Sequence, residues 1–283
     1  TGGEVYARVA ASNRVFLVSS FLESTFDKTA FALRDKSILS FPRDKVDALE
    51  LASPEQRLTF SKKPGRWVLE GSDTVRLDQL QVEGVVGRLQ TLAMKAITAQ
   101  DVADRDLPAY GLDKPAATAT VGAGSARAVI VIGKEDGAGS RYARDLTRRM
   151  VVTIDPGILD EFKKKADEFR PRDVFEFRSY TATRLEVARG PSTVAFEKTT
   201  AKDGTTKWRR LQPAKDVGTA EVEALLAALS GLSVERYVDA AAKTGAETPA
   251  AVVTAAFDDG KKTERVVFGK VGTDVFAVRE GEP

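Results

Sequence analysis

The 283-residue chain contains neither cysteine nor histidine. Without cysteine there is no disulfide, no thiolate nucleophile and no sulfur ligand set for a metal. Without histidine as well, structural zinc, haem ligation, Ser-His-Asp triads and Cys-His dyads are excluded, because each requires an imidazole or a soft sulfur ligand. An excess of one charge is missing too: 43 Lys+Arg face 41 Asp+Glu, a formal net charge of +2, so the one-signed field of a dedicated nucleic-acid binder is absent. No apolar run reaches the roughly 18 residues needed to cross a bilayer, and no signal-peptide pattern starts at Thr1. These residues are therefore expected not to insert into a membrane, an expectation compatible with a membrane anchor flanking them. Proline and aromatics are sparse, at 11 residues and 7%.

What is present is a soluble composition, 42% hydrophobic and 30% charged, long enough for two domains of roughly 140 residues rather than one large core. The organising stretch is Tyr110-Gly111-Leu112-Asp113-Lys114-Pro115 and the residues after it. Gly111 admits backbone angles closed to other residues, and Pro115 fixes its own φ while pushing Lys114 toward an extended conformation. A hairpin follows, with β-branched Thr118, Thr120 and Val129 to Ile132 on its strands and Gly122 to Ser125 as the reversal. A second copy runs from Gly245 to Pro249, through Val252 to Phe257, turns at Asp258-Asp259-Gly260 and ends at Gly269-Lys270.

The rest of the chain repeats with it. Tyr6-Ala7-Arg8 and Tyr142-Ala143-Arg144 are 136 residues apart, each before an aliphatic strand, and Phe276-Ala277-Val278 is a third version. The sequence thus opens and closes at one phase of its repeat, as expected of a piece excised from a longer array. After Val18 a short helix is predicted, capped by Ser19 or Ser20, with Leu22 and Phe26 facing inward; Asp155, Pro156, Ile158 and Phe162 repeat it. Arg34-Asp35 and Arg172-Asp173 lead into apolar pairs, strands follow at Val46 to Leu51 and Ala182 to Val187, and Trp67 and Trp208 are expected to anchor sheet to helix. Val82, Val85, Val86 and Leu89 recur 140 residues later as Val222, Leu225, Leu226 and Leu229, an apolar stripe at helical spacing. The first of these helices is predicted to start near Ser72 to Thr74, the second to be capped by Thr219. Strands are predicted after them at Met94 to Ile97 and Val234 to Tyr237. The expected fold is α+β: two tandem units, 1–140 and 141–283, each a mainly antiparallel sheet packed with two amphipathic helices.

The Arg-Asp turn, Leu-Glu strand, Trp strand, amphipathic helix and Tyr110 to Pro115 motif, closed by Ile132-Gly133-Lys134 and Tyr142 to Arg144, resemble the bacterial domain of unknown function 4340 as two successive units. The second unit departs from the motif, with Thr244, Ala246 and Thr248 where the first has Tyr110, Leu112 and Lys114. The resemblance implies an envelope-associated protein on the periplasmic side, often membrane-tethered and encoded beside an ABC-type transport system of the gliding-motility kind. It implies no catalytic residue.

Other chemical signals have plain structural readings. The glycines from Gly122 to Gly139 complete neither a dinucleotide nor a P-loop pattern and fit hairpin turns. Asp101, Asp104 and Asp106 lack the spacing of a calcium loop, and Lys163 to Lys165 and Arg148-Arg149 fit solvated faces beside acidic neighbours. The Arg-Asp pairs fit a turn held by charge-assisted hydrogen bonds rather than an active site. Tyr6 and Tyr142 are expected to pack on the sheet while Arg8 and Arg144 reach solvent; the functional alternative is an edge strand that recruits another chain. Two function classes follow. The preferred one is a non-enzymatic scaffold or partner-binding module with no cofactor, metal or nucleic acid, its partner-binding or structural motif comprising Tyr110, Gly111, Leu112, Asp113, Lys114, Pro115, Tyr142 and Arg144. The alternative is an enzyme or small-ligand receptor using Asp, Glu, Lys or Ser between the two units. Exposed tyrosines for carbohydrate stacking are limited to Tyr110, Tyr180 and Tyr237.

Overall fold

The computed structural model describes residues 3–212, 214–239 and 241–282 and is mixed α+β with mainly antiparallel sheets. The chain forms β1 (Glu4–Arg8), β2 (Val15–Ser19), α1 (Phe21–Phe26), β3 (Val46–Ala52), β4 (Arg57–Lys63), β5 (Arg66–Leu69), α2 (Gln79–Thr91) and β6 (Ala96–Ala99). It continues with β7 (Ala117–Ala123), β8 (Ala126–Glu135), β9 (Arg141–Asp145), β10 (Val151–Ile154) and α3 (Asp160–Lys163). The last part holds β11 (Ala182–Arg189), β12 (Ser192–Thr200), β13 (Thr206–Gln212), β14 (Ala214–Asp216), α4 (Thr219–Ser230), β15 (Ala251–Phe257), β16 (Lys262–Val271) and β17 (Asp274–Arg279). Two compact units result, each built from two segments: Thr1–Thr59 with Glu83–Lys163, and Phe60–Val82 with Lys164–Pro283. Their boundaries fall inside β4 and α2.

The two larger sheets share a strand order. One eight-stranded sheet runs β5-β4-β3-β7-β8-β9-β10-β6 and one seven-stranded sheet runs β14-β13-β12-β11-β15-β16-β17, while β1 and β2 form a separate hairpin. Registers agree as well. Ile132 faces Ala143 across β8 and β9 as Phe268 faces Ala277 across β16 and β17. The turns close in the same way, Ile38 and Met94 donating to the Leu92 and Lys36 carbonyls and Val174 and Val234 to those of Leu232 and Arg172, but this places Lys36-Ser37, not Arg34-Asp35, opposite Arg172-Asp173, so the two Arg-Asp pairs are not equivalent as the sequence suggests. In neither pair is the arginine bound to its own aspartate; Asp35 accepts from the Ser37 amide, and Asp173 pairs with Arg178.

Both tryptophans are buried, and each main-chain N–H reaches the first residue of a helix, Trp67 donating to Gln79 Oε1 at 2.6 Å and Trp208 to Thr219 Oγ1 at 3.3 Å. The Thr219 hydroxyl is thereby used between elements; Gly218, not Thr219, is the N-cap of α4. In α2 the start is later than the sequence suggests, at Gln79, because Asp78 accepts from the Leu80 and Gln81 amides and so caps the first turn. The stripe Val82, Val85, Val86 and Leu89 is fully buried, whereas in α4 Leu225 lies on the exposed side and Val222 and Leu226 carry the packing. Those two join Phe175, Phe177, Leu185, Trp208 and Phe257 in one core.

Two further expectations fail. Leu22 and Phe26 of α1 face solvent at 41% and 80% exposure, whereas their copies Ile158 and Phe162 are buried. Residues Val234 to Tyr237 form no strand; a single bridge between Asp173 and Ser233 is all that corresponds to the Ser37–Ala93 bridge and β6. Among the described residues, no helix is long and apolar enough to cross a membrane.

Candidate functional site

The Tyr110 motif is a main-chain latch. A short 3-10 turn, Asp104–Tyr110, ends at Gly111, whose φ of 67° lies in the left-handed region where a side chain is strained. The chain then crosses β8 so closely that a Cβ on Gly133 would overlap the carbonyl oxygen of Tyr110 and lie 3.1 Å from Leu112 Cδ2. A Cβ on Gly111 would in turn lie 3.0 Å from the Lys134 nitrogen. The two glycines of the motif are therefore one crossing seen from its two sides. Past it, Ala116 donates to the Ile132 carbonyl at 2.9 Å and the chain enters β7. The second unit repeats the device with different side chains: Gly245 has φ 70°, a Cβ on Gly269 would overlap the Thr244 carbonyl, and Ala250 donates to Phe268 at 2.8 Å.

Side chains clothe this latch unequally. Tyr110 meets Tyr142 edge-to-face at 5.1 Å, and both pack on a small core of Val102, Leu112, Val131 and Val151. Pro115 is half-buried, and Asp113 and Lys114 are exposed. Arg144 departs from expectation: it is 8% exposed rather than solvated, its Nε donating to the Arg148 carbonyl at 3.0 Å and its Nη1 to Asp104 at 3.4 Å. Asp104, read from sequence as linker, thus ties the turn before the motif to β9. Arg8, the copy of Arg144, is exposed, and Tyr6, the copy of Tyr142, is 82% exposed.

Sequence reasoning missed an ionic network in the second unit. Glu264, 2% exposed at its side chain, accepts from the amides of Glu176 and Phe177 at 2.9 Å each and from Arg279. Arg279 also reaches Glu176 at 3.4 Å and Glu282 at 3.1 Å; Glu282 in turn pairs with Arg76 at 2.5 Å and Arg170 at 3.6 Å. The Arg170 guanidinium lies 3.5 Å from the centre of the Tyr237 ring, a cation over a π face. Burial raises the Tyr237 phenol above its ordinary pKa, against the opposing pull of Arg170 and Arg76, and its hydroxyl donates to the Pro171 carbonyl at 2.5 Å. Three arginines meet three glutamates here, so the charges cancel. The arrangement binds segments together instead of presenting a free acid or base. No sequence signal announces it, since its members lie as far apart as Arg76 and Glu282.

Beside Tyr237 the second unit carries an open concave surface of about 360 Å³, lined by Asp167, residues 236–239, Ala242 and Phe276 of β17. A smaller concave feature near Met94 and Met150 holds about 10 Å³, room for one water at most. Among the described residues, no group of three or more acidic side chains is placed to hold a metal ion. Val15, Phe16, Leu17, Phe21 and Phe26 on β2 and α1 are 47% to 80% exposed, an apolar surface of unusual density.

No curated protein and no solved structure matches this chain. A family model does match, once over residues 1–75 and again over residues 67–251, two occurrences that agree with a tandem arrangement. Since those matches span most of the sequence, the chain belongs to the family described as Domain of unknown function (DUF4340).

Proposed function

We propose that this chain is a non-enzymatic, partner-binding module of a bacterial envelope system, held on the periplasmic side by a membrane tether and working beside an ABC transporter of the gliding-motility type. Its organisation on this reading is two tandem repeats, 1–140 and 141–283, each an antiparallel sheet with two amphipathic helices. The matching orders β5-β4-β3-β7-β8-β9 and β13-β12-β11-β15-β16-β17 support the repeat. The single observation that carries the binding role is the apolar surface of β2 and α1, whereas β10 and the Ile158 and Phe162 side chains that follow it are buried. An exposed patch of this kind marks a place where another chain sits. The Tyr110, Gly111, Leu112, Asp113, Lys114, Pro115, Tyr142 and Arg144 cluster serves this module as the latch that holds its hairpin, with exposed Asp113 and Lys114 as its outward contacts.

The test is cross-linking and pull-down of the full-length, membrane-tethered protein from its native envelope. Recovery of transporter subunits, lost in a Phe16→Asp, Phe26→Asp double variant that keeps the wild-type melting temperature, is the expected result. Turnover of a small substrate by the purified chain, with no transporter subunit recovered, overturns the reading.

A further inference from the structure

With no cysteine in the chain, Met94 and Met150 supply its only sulfur atoms. Far apart in sequence, they nevertheless line one small cavity of about 10 Å³ together with Ile38, Asp145, Arg148 and Val152. The space admits a single water-sized oxygen. All six residues, and Arg34 beside them, belong to the first compact unit.

The two sulfurs are placed differently. Met94, between α2 and β6, is 3% exposed, and its amide donates to the Lys36 carbonyl at 2.8 Å. Met150 immediately precedes β10 and is only partly buried, so a small oxidant in solution reaches it. Its Sδ accepts from Arg34 Nη1 at 3.9 Å. A thioether is a weak acceptor, yet among the described residues this is the only side-chain hydrogen bond of the Arg34 guanidinium, and no carboxylate pairs with it. A full cation therefore faces a sulfur that is a poor partner in its reduced state. Arg148, on the same cavity wall, donates through Nη1 to the Ser37 carbonyl at 3.3 Å and has its Nε 3.5 Å from Asp145 Oδ2. Asp145, the one carboxylate on that wall, also accepts at Oδ1 from the Thr147 amide and hydroxyl at 2.8 and 2.9 Å. Its charge is thus offset by Arg148 and its oxygens are occupied.

We propose that Met150 is a site of oxidation by hydroperoxides, and that Arg34 and the adjoining cavity hold its sulfoxide. A lone pair of Sδ attacks one peroxide oxygen; the S–O bond forms as the O–O bond breaks, and sulfur gives up two electrons. The proton on the transferred oxygen passes to the departing hydroxide, which leaves as water. The product oxygen is a strong acceptor in place of a weak one, and Arg34 gains a charge-assisted hydrogen bond. Arg34 lies on the segment leading to Ile38, and Met150 on the connection between β9 and β10, so this bond ties the two together beside the existing Arg148 to Ser37 contact. Sulfoxide formation in an apolar core loosens packing, because it sets a polar, chiral group among apolar ones. At Met150 it tightens a joint.

Limiting hydrogen peroxide on the folded 283-residue chain tests this, with peptide mass spectrometry on the two methionines and hydrogen–deuterium exchange on residues 34–38. Arg34 is exposed, so Arg34→Leu removes the donor without emptying a core; Met150→Leu removes the sulfur. Met150 is expected to oxidise about tenfold or more faster than Met94. Exchange across 34–38 is expected to slow by about twofold or more in the oxidised wild type and not in oxidised Arg34→Leu, while Met150→Leu does not respond to peroxide there. Equal oxidation rates for the two methionines overturn the proposal, as does exchange that is unchanged or faster in the oxidised wild type. Equal slowing in Arg34→Leu, or slowing in Met150→Leu, overturns it as well.

Discussion

Replacing Gly133 by alanine tests whether the glycines of the Tyr110 motif are there for the crossing of main chains. At an open site such a change stabilises by about 0.4–1 kcal/mol, because alanine has fewer unfolded conformations to lose. At Gly133 the added methyl overlaps the carbonyl oxygen of Tyr110, and its next neighbours are Leu112 Cδ2 at 3.1 Å and the Gly111 carbonyl carbon at 3.2 Å. Two of these three are backbone and cannot rotate away, so β8 and the turn must separate. Separation opens the small core around Leu112 and Val131 and stretches the Ala116 to Ile132 hydrogen bond. Overpacking of this kind costs about 1–3 kcal/mol, and loss of the adjacent packing places Gly133→Ala near the upper end, about 3 kcal/mol. Urea unfolding followed by far-ultraviolet circular dichroism measures it. Gly84→Ala is the control: nothing lies within 4 Å of its added carbon, it sits inside α2, and a gain of about 0.5–1 kcal/mol is expected. Gly269→Ala repeats the experiment in the second unit, where Trp67 and Trp208 both lie, so its effect is visible in tryptophan fluorescence. A Gly133→Ala protein as stable as wild type refutes the crossing argument.

Glu264→Gln keeps the shape of a buried carboxylate and removes its charge, leaving Arg279 without its buried partner; a loss of about 3 kcal/mol in fluorescence-detected unfolding is expected, and one below about 1 kcal/mol refutes the network's importance. The raised Tyr237 phenol contributes stability that is complete below the ordinary tyrosine pKa and disappears as pH rises through its folded value; Tyr237→Phe removes that alkaline dependence, read as the wild-type-minus-variant difference in urea midpoint above about pH 10. Asp136, held below the ordinary carboxylate range by the Ser140 and Ala138 amides, works in the other direction: its contribution is present above the ordinary carboxylate pKa and lost as pH falls through its lower folded value. Asp136→Ala therefore loses less stability than wild type between roughly pH 5 and pH 2. Trp208→Ala, at a side chain 3% exposed, is expected to destabilise by about 3–5 kcal/mol.

The elements read correctly from sequence are those whose cause is local. The stripe from Val82 to Leu89 and the Gly-Ser and Asp-Gly reversals of the two hairpins depend on spacing and backbone freedom, both written in neighbouring residues. The turn at Gly111 was legible for the same reason. Its purpose was not, because the overlap of Gly133 with the Tyr110 carbonyl is a contact across 23 positions that no periodicity reports. The ionic network lies further out of reach, its arginines and glutamates scattered among surface charges of identical composition. Arg144 was misjudged because its polar partners, the Arg148 carbonyl and Asp104 40 residues earlier, are not announced by the strand in which it sits.

Residues 94–97 and 234–237 make the general case. Both follow an amphipathic helix by the same interval, and both were expected to form strands. The first copy yields β6, and the second forms no strand beyond the Asp173–Ser233 bridge and the Val234 to Arg172 hydrogen bond. Local preference does not separate them, for Tyr237 and Val238 suit a strand at least as well as Ile97 and Thr98. The difference is the neighbour: Val152 stands opposite Ile97, and nothing described in this chain stands opposite Tyr237. A strand is a property of a pair, since half of its hydrogen bonds belong to another segment. Leu22 and Phe26 make the same point for a helix, apolar residues in the pattern of Ile158 and Phe162 without the packing that buries those two.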